Sequence, residues 1–241
     1  MNDRASERSG SRWILRSAWA GTAAALFGVG IGTVGYRALP GAERMDWTTM
    51  GLVLFTYAVL TGVSSGLGIG AGTALAVRSG GGPRRVGALR LTLLGATGGL
   101  VGCTVPALVG IAGFGSLHAP YAGTANLVFC TLVVCTTFVT LWAPTLWGRD
   151  RDRLGRGTHL GIAAMASSLA VASLGILGVS LVSALGLVPG LGDFVALSSA
   201  FGLFELGLAA GAIAGLCVGA VAGFAVWLYL STAVALERRL G

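Results

Sequence analysis

Apolar residues gather into six long blocks, separated by short segments in which arginine, glycine and proline concentrate. Each block is about as long as the roughly 18 residues a helix needs to cross a bilayer, or longer. The pattern predicts an all-α integral membrane protein with six transmembrane helices, over residues 18–36, 48–76, 86–114, 121–147, 159–187 and 206–234. A polar, basic segment, 1–12, precedes this domain of residues 13–236, and a short tail, 237–241, follows it. The first block sits where a signal peptide would, after basic residues, but it is long and rich in glycine and ends at Tyr36-Arg37, as a span does.

Within the blocks, glycine recurs at helical spacing. Gly207, Gly211, Gly215, Gly219 and Gly223 fall every fourth residue in the last block, so one helical face carries all five. Each glycine costs a water-exposed helix about 1 kcal/mol relative to alanine. In a bilayer the backbone must satisfy its own hydrogen bonds, so the helix forms, and its bare face admits a second backbone. The second block carries Gly62, Gly66 and Gly70 on one line, with Gly68 and Gly72 on another. The third pairs Gly95 with Gly99 and Gly98 with Gly102, and Pro106 is expected to kink it. The fourth, rich in Leu, Val, Phe and Thr, is expected to face lipid. From Phe194 to Leu236 is too long for one ordinary span. Either residues 194–204 form an interfacial or re-entrant piece, or a tilted helix projects beyond the membrane.

Charge sets the orientation. All 16 basic residues are arginine. They crowd the N-terminal flank (Arg4, Arg8, Arg12, Arg16), the second loop (Arg78, Arg84, Arg85, with Arg90 just inside the next helix), the fourth loop (Arg149, Arg151, Arg153, Arg156) and the C-terminus (Arg238, Arg239). The alternate loops hold only Arg37 and Arg44. The positive-inside rule then places both termini in the cytoplasm, whereas seven spans would expose Arg238 and Arg239 outside. The N-terminal arginines either form a stripe on an interfacial helix or an unstructured basic flank. Trp13, Trp19, Trp142, Trp147, Trp227 and Tyr229 fall where an inner aromatic belt is expected, and Tyr36, Trp47 and Tyr121 where an outer one is. A chain 54% hydrophobic, 10% charged and without lysine has the composition of a GC-rich, actinobacterial-like genome, and so of a bacterial inner-membrane protein. Its +7 charge lies beside apolar spans, which points to lipid headgroups of the bilayer and not to nucleic acid.

The side chains exclude much chemistry. Without lysine there is no Walker A phosphate loop and no Schiff base. His118 and His159 fall on opposite sides of the membrane, so neither a histidine triad nor a metal cluster is expected. Cys103, Cys130, Cys135 and Cys217 lie inside apolar runs and read as small buried hydrophobes. Gly62-Val63-Ser64-Ser65-Gly66 fits G-x-S-x-G, but that motif belongs on a strand-to-helix elbow. No catalytic residue, metal or cofactor is assigned. The acid placed for a substrate or ion is Glu205, set by the inner aromatic belt near the outer interface. Asp193 and Asn126 are further candidates.

Three resemblances follow from these residues. Gly190-Leu191-Gly192-Asp193 is similar to the GxGD of intramembrane aspartyl proteases, which implies a second aspartate beside Asp193; Asp150 and Asp152 lie one span away. Gly66-Leu67-Gly68-Ile69-Gly70-Ala71-Gly72 resembles the inner helix of rotary ATPase c subunits, over one helix only. Six spans with both termini inside and basic cytoplasmic loops resemble ABC-2-type export permeases, which implies transport with a separate cytoplasmic ATPase. The competing expectation is a non-catalytic scaffold, its glycine faces binding another membrane subunit or a copy of itself.

Overall fold

The computed structural model describes residues 13–23, 25–27, 29–30, 47–82, 85–109, 156–184 and 203–240, and among these the regular structure falls into five helical segments. We number them α1 (helical at 13–23, 25–27 and 29–30), α2 (Trp47–Ser79), α3 (Ala88–Leu108), α4 (Arg156–Ala184) and α5 (Leu203–Leu240). Among the described residues all regular structure is helical. Three stretches are long and apolar enough to cross a membrane, Phe55–Ser79, Ala88–Leu108 and Gly211–Leu236. This is the make-up of a helical membrane protein. The expected span at 121–147 lies outside the described residues, as do Asn126, Asp193, His118, Cys130 and Cys135.

The helices nest in series through their glycine columns. Gly62, Gly66 and Gly70 of α2 meet α1 at Thr22, Gly21 and Ser17. Gly68 and Gly72, on the far side of α2, meet Gly98, Gly102 and Leu94 of α3. The other column of α3, Gly95 and Gly99, meets Gly215, Gly219 and Gly223 of α5. These two columns of α3 are the two glycine pairs anticipated from spacing, and each has its own partner. A Cβ at Gly95 would lie 2.5 Å from the Gly219 carbonyl oxygen, and one at Gly66 2.5 Å from that of Ser17. At Gly99, Gly215 and Gly219 it would run into the facing backbone carbonyl as well. With no side chain between them, backbone meets backbone, and the usual 8–10 Å helix separation set by side chains does not apply.

Every one of these contacts is antiparallel. Ser17 lies at Gly66 and Gly70 while Gly21 lies at Gly62; Gly68 faces Gly102 while Gly72 faces Leu94; Leu91 lies at Gly223 while Ala107 lies at Gly211. The start of α1, the end of α2, the start of α3 and the end of α5 therefore share one end of the bundle. The described arginines of those helices and of the α2–α3 loop, namely Arg16, Arg78, Arg85, Arg90, Arg238 and Arg239, all belong to that end. Glu205, in the first turn of α5, belongs to the other. α4 adds Ile162, Ala163 and Ala166 to a core shared with Val77, Val86, Leu91, Val226, Tyr229 and Ala233.

Size is sorted outward. Glycine, alanine, serine and threonine fill the helix contacts, while Leu52, Phe55, Leu89, Leu93, Val101 and Ile213 point away from them. The aromatics depart from a simple belt. Trp19 is 76% exposed, but Trp13 and Tyr229 are buried in the core. Trp13 donates its indole N–H to Thr73 Oγ1 at 3.4 Å, and Thr73 passes its own proton to the Ile69 carbonyl at 2.8 Å. An indole needs one acceptor to be buried, and α2 supplies it. Cys103 is buried as expected, whereas Cys217 is exposed. α5 begins at Leu203 and runs 38 residues, about 57 Å, so it exceeds a bilayer core of roughly 30 Å by itself. Residues 194–202 lie outside the described residues.

Gly99→Val puts two methyl groups into the α5 backbone, which cannot yield as a side chain would. A loss of about 3 kcal/mol or more is expected in reversible unfolding of the micelle-bound protein. Gly161, where a new Cβ meets nothing within 4 Å, should accept alanine within about 1 kcal/mol of wild type. Equal losses at the two positions would contradict the packing.

Candidate functional site

The polar groups that the bundle buries lie mainly along α2. Thr61, Ser65 and Thr73 are buried there, and Ser17 of α1 and Ser167 of α4 are buried as well. Two of these hydroxyls answer to their own helix. Ser65 donates to the Thr61 carbonyl at 2.6 Å, and Thr73 to those of Ile69 and Gly70. Such back-bonding hides a hydroxyl proton where no water can take it. Thr61 Oγ1, fully enclosed, has no hydrogen-bond partner among the described residues.

Ser64 does something different. Its hydroxyl crosses to α3 and donates to the Gly102 carbonyl at 2.7 Å. That carbonyl would ordinarily accept from the amide four residues on, which is Pro106 and has no N–H. Ser64 therefore supplies the donor that the proline removed, as a neighbouring helix must where there is no water. α3 continues through Pro106 to Leu108, and the Val109 amide donates to the Pro106 and Val105 carbonyls. Ser64 stands in the middle of a continuous helix, so the Gly62–Gly66 motif is no nucleophile elbow, and the serine has a structural task.

The arginine-bearing end is built around the α2–α3 connection. α2 stops at a Schellman turn: the Gly82 amide reaches the Val77 carbonyl at 2.9 Å and the Gly81 amide that of Arg78 at 3.4 Å. Gly81, at φ 78°, occupies the left-handed position this turn requires. Arg90, from the first turn of α3, reaches back and donates an Nη1–H to the Ser79 carbonyl at 2.8 Å. The Arg90 side chain is thus anchored on the last turn of α2, where a cation also meets the negative end of the helix dipole. Leu75, Ser79, Gly87, Leu89, Arg90, Leu93 and Leu94 line an open groove of about 700 Å³ beside it.

Of the residues expected to handle a substrate or ion, Asp193 and Asn126 lie outside the described residues and Glu205 lies within them. Glu205 takes its place in α5 at the end opposite the arginines, two residues before Gly207 and in chain order well before Trp227 and Tyr229. Gly207 continues the column of Gly211, Gly215, Gly219 and Gly223, of which those four contact α3. The polar contacts that sequence reasoning missed are Ser64 with Gly102, Trp13 with Thr73 and Arg90 with Ser79. For the first there was a signal: a proline inside a span leaves one carbonyl needing a donor. No protein-family model, curated protein or solved structure is significantly similar to the chain.

Ser64→Ala should cost about 1 kcal/mol by leaving the Gly102 carbonyl unpaired. In a Pro106→Ala background, where residue 106 regains its amide, the same change should cost much less. A double-mutant cycle in graded SDS unfolding measures this, and strictly additive losses would show that Ser64 and Pro106 are not linked.

Proposed function

We propose that the chain is a six-span, permease-like subunit of a bacterial inner-membrane transporter, with both termini cytoplasmic, working with a separate cytoplasmic ATPase. The observation that carries this reading is the gathering of Arg16, Arg78, Arg85, Arg90, Arg238 and Arg239 at one end of an antiparallel bundle. Under the positive-inside rule that end is cytoplasmic, and an even number of crossings returns the chain to it. The Arg78–Arg85 turn, with the fourth loop at Arg149–Arg156, is then the surface offered to the ATPase. The chain has no lysine with which to build a Walker A phosphate loop of its own, so in this reading the ATPase is a separate subunit.

The scaffold reading requires glycine faces free to receive another subunit. Gly62, Gly66, Gly70, Gly211, Gly215, Gly219 and Gly223 are instead occupied by α1 and α3 of the same chain. This favours internal packing over a homo-oligomer built on those faces.

Two measurements test the proposal. The tagged chain should co-purify with a nucleotide-binding subunit and alter its ATPase rate; a chain that purifies alone and leaves that rate unchanged would overturn the reading. In a cysteine-free background, Ala212→Cys and Ala214→Cys, beside Gly211 and Gly215, should give no inter-chain crosslinks in membranes. Abundant inter-chain products would favour the scaffold.

A further inference from the structure

The groove between the end of α2 and the start of α3 joins two unlike surfaces. Along it lie Leu75, Leu89 and Leu93, 56%, 73% and 56% exposed, spaced a turn apart on α3 and one turn before Ser79 on α2. This wall continues into the apolar stretches of both helices. At the loop end of the groove is Arg90, whose guanidinium gives one N–H to the Ser79 carbonyl. Arginine carries five such donors, so the rest of the fork remains for an acceptor. Arg85, two residues before Gly87, is exposed, and its only described hydrogen bond is from its backbone amide to the Gly82 carbonyl. No carboxylate among the described residues pairs with Arg85 or Arg90.

We propose that this groove binds one anionic phospholipid, its phosphate on Arg90 and Arg85 and an acyl chain along Leu75, Leu89 and Leu93. Cation and leucine wall follow one another in the order in which an acidic lipid presents phosphate and hydrocarbon, at the ends of the apolar stretches Phe55–Ser79 and Ala88–Leu108. A free phosphate would make no use of the leucines. A zwitterionic lipid would bring its own cation to two guanidinium groups that no carboxylate among the described residues neutralises. The Ser79 carbonyl fixes Arg90 beforehand, so little side-chain freedom is lost when the lipid arrives. The proposal needs only that the protein lies in a bilayer, and it holds whether or not the chain transports anything.

Native mass spectrometry of the full-length protein in neutral detergent tests it. Phosphatidylglycerol should be retained in preference to phosphatidylcholine of the same acyl chains. Arg85→Ala and Arg90→Ala should each weaken phosphatidylglycerol retention by about fivefold and leave phosphatidylcholine unchanged. Arg90→Ala also removes the tie to Ser79, so Arg85→Ala, which disturbs no side-chain hydrogen bond, is the decisive variant. Equal retention of the two lipids, or wild-type retention by Arg85→Ala, would overturn the assignment. Displacement of the lipid by glycerol phosphate would overturn it in favour of a soluble phosphate site. A co-purifying protein lost in Arg85→Ala, with no lipid bound, would assign the groove to a protein partner instead.

Discussion

The direct contact of one helix backbone with another holds this bundle together. In lipid, apolar side chains gain nothing by leaving one hydrocarbon environment for another. What remains is close packing, and glycine brings the largest number of backbone atoms into range. At four places the contact is reciprocal: Gly95 with Gly219, Gly99 with Gly215, Gly68 with Gly98 and Gly21 with Gly62 each direct the bond that would carry Cβ at the other's carbonyl oxygen. The hydrogen on that bond is then a Cα–H donor, each such contact contributing about 0.5–1 kcal/mol. Leu52, Phe55, Leu89 and Ile213 lie on the outer surface, while Ile69, Leu91 and Tyr229 are buried beside the seams.

A structure tied by its main chain must also settle the main chain's polar groups. Where a helix runs unbroken it does so alone. Where it is interrupted, a side chain from a neighbouring helix completes it: Ser64 at the carbonyl above Pro106, and Arg90 at the carbonyl that ends α2. Trp13 is the converse case, a donor brought in from α1 and received by Thr73. All three ties join helices that also share a glycine seam or a tight turn. For Ser64, the shortest of the three, the closeness of the two backbones is what brings the Gly102 carbonyl within reach.

Much of this was readable before the fold was known. A four-residue glycine period can only be a helix face, so the columns at Gly62, Gly66 and Gly70, at Gly95 and Gly99, and at Gly211 to Gly223 were evident. The arginine distribution likewise anticipated one basic end. Partner choice was not readable, because every column presents the same bare surface and nothing local tells α5 to seek α3 before α2. Trp13 and Tyr229 were misjudged for a related reason: their ring chemistry suits an interface or a core equally, and only the acceptor on α2 or the small neighbours decide. Ser64 was masked by its motif, since the relevant relation is to a proline 42 positions away and not to the glycines beside it. Glu205 falls in the first turn of α5, and its chemistry depends on neighbours that no local pattern names.

The glycine columns have a consequence for alignment. A seam that repeats every four residues looks the same to its partner after a slip of about 6 Å, one repeat along the helix axis. The repeating surface alone therefore works as a rail, indifferent to where the carriage stops. The unique features beside it are what break this degeneracy: one serine opposite one proline, one indole opposite one threonine, one guanidinium opposite one helix end. Three small pins select a single stop among several that the rail would accept.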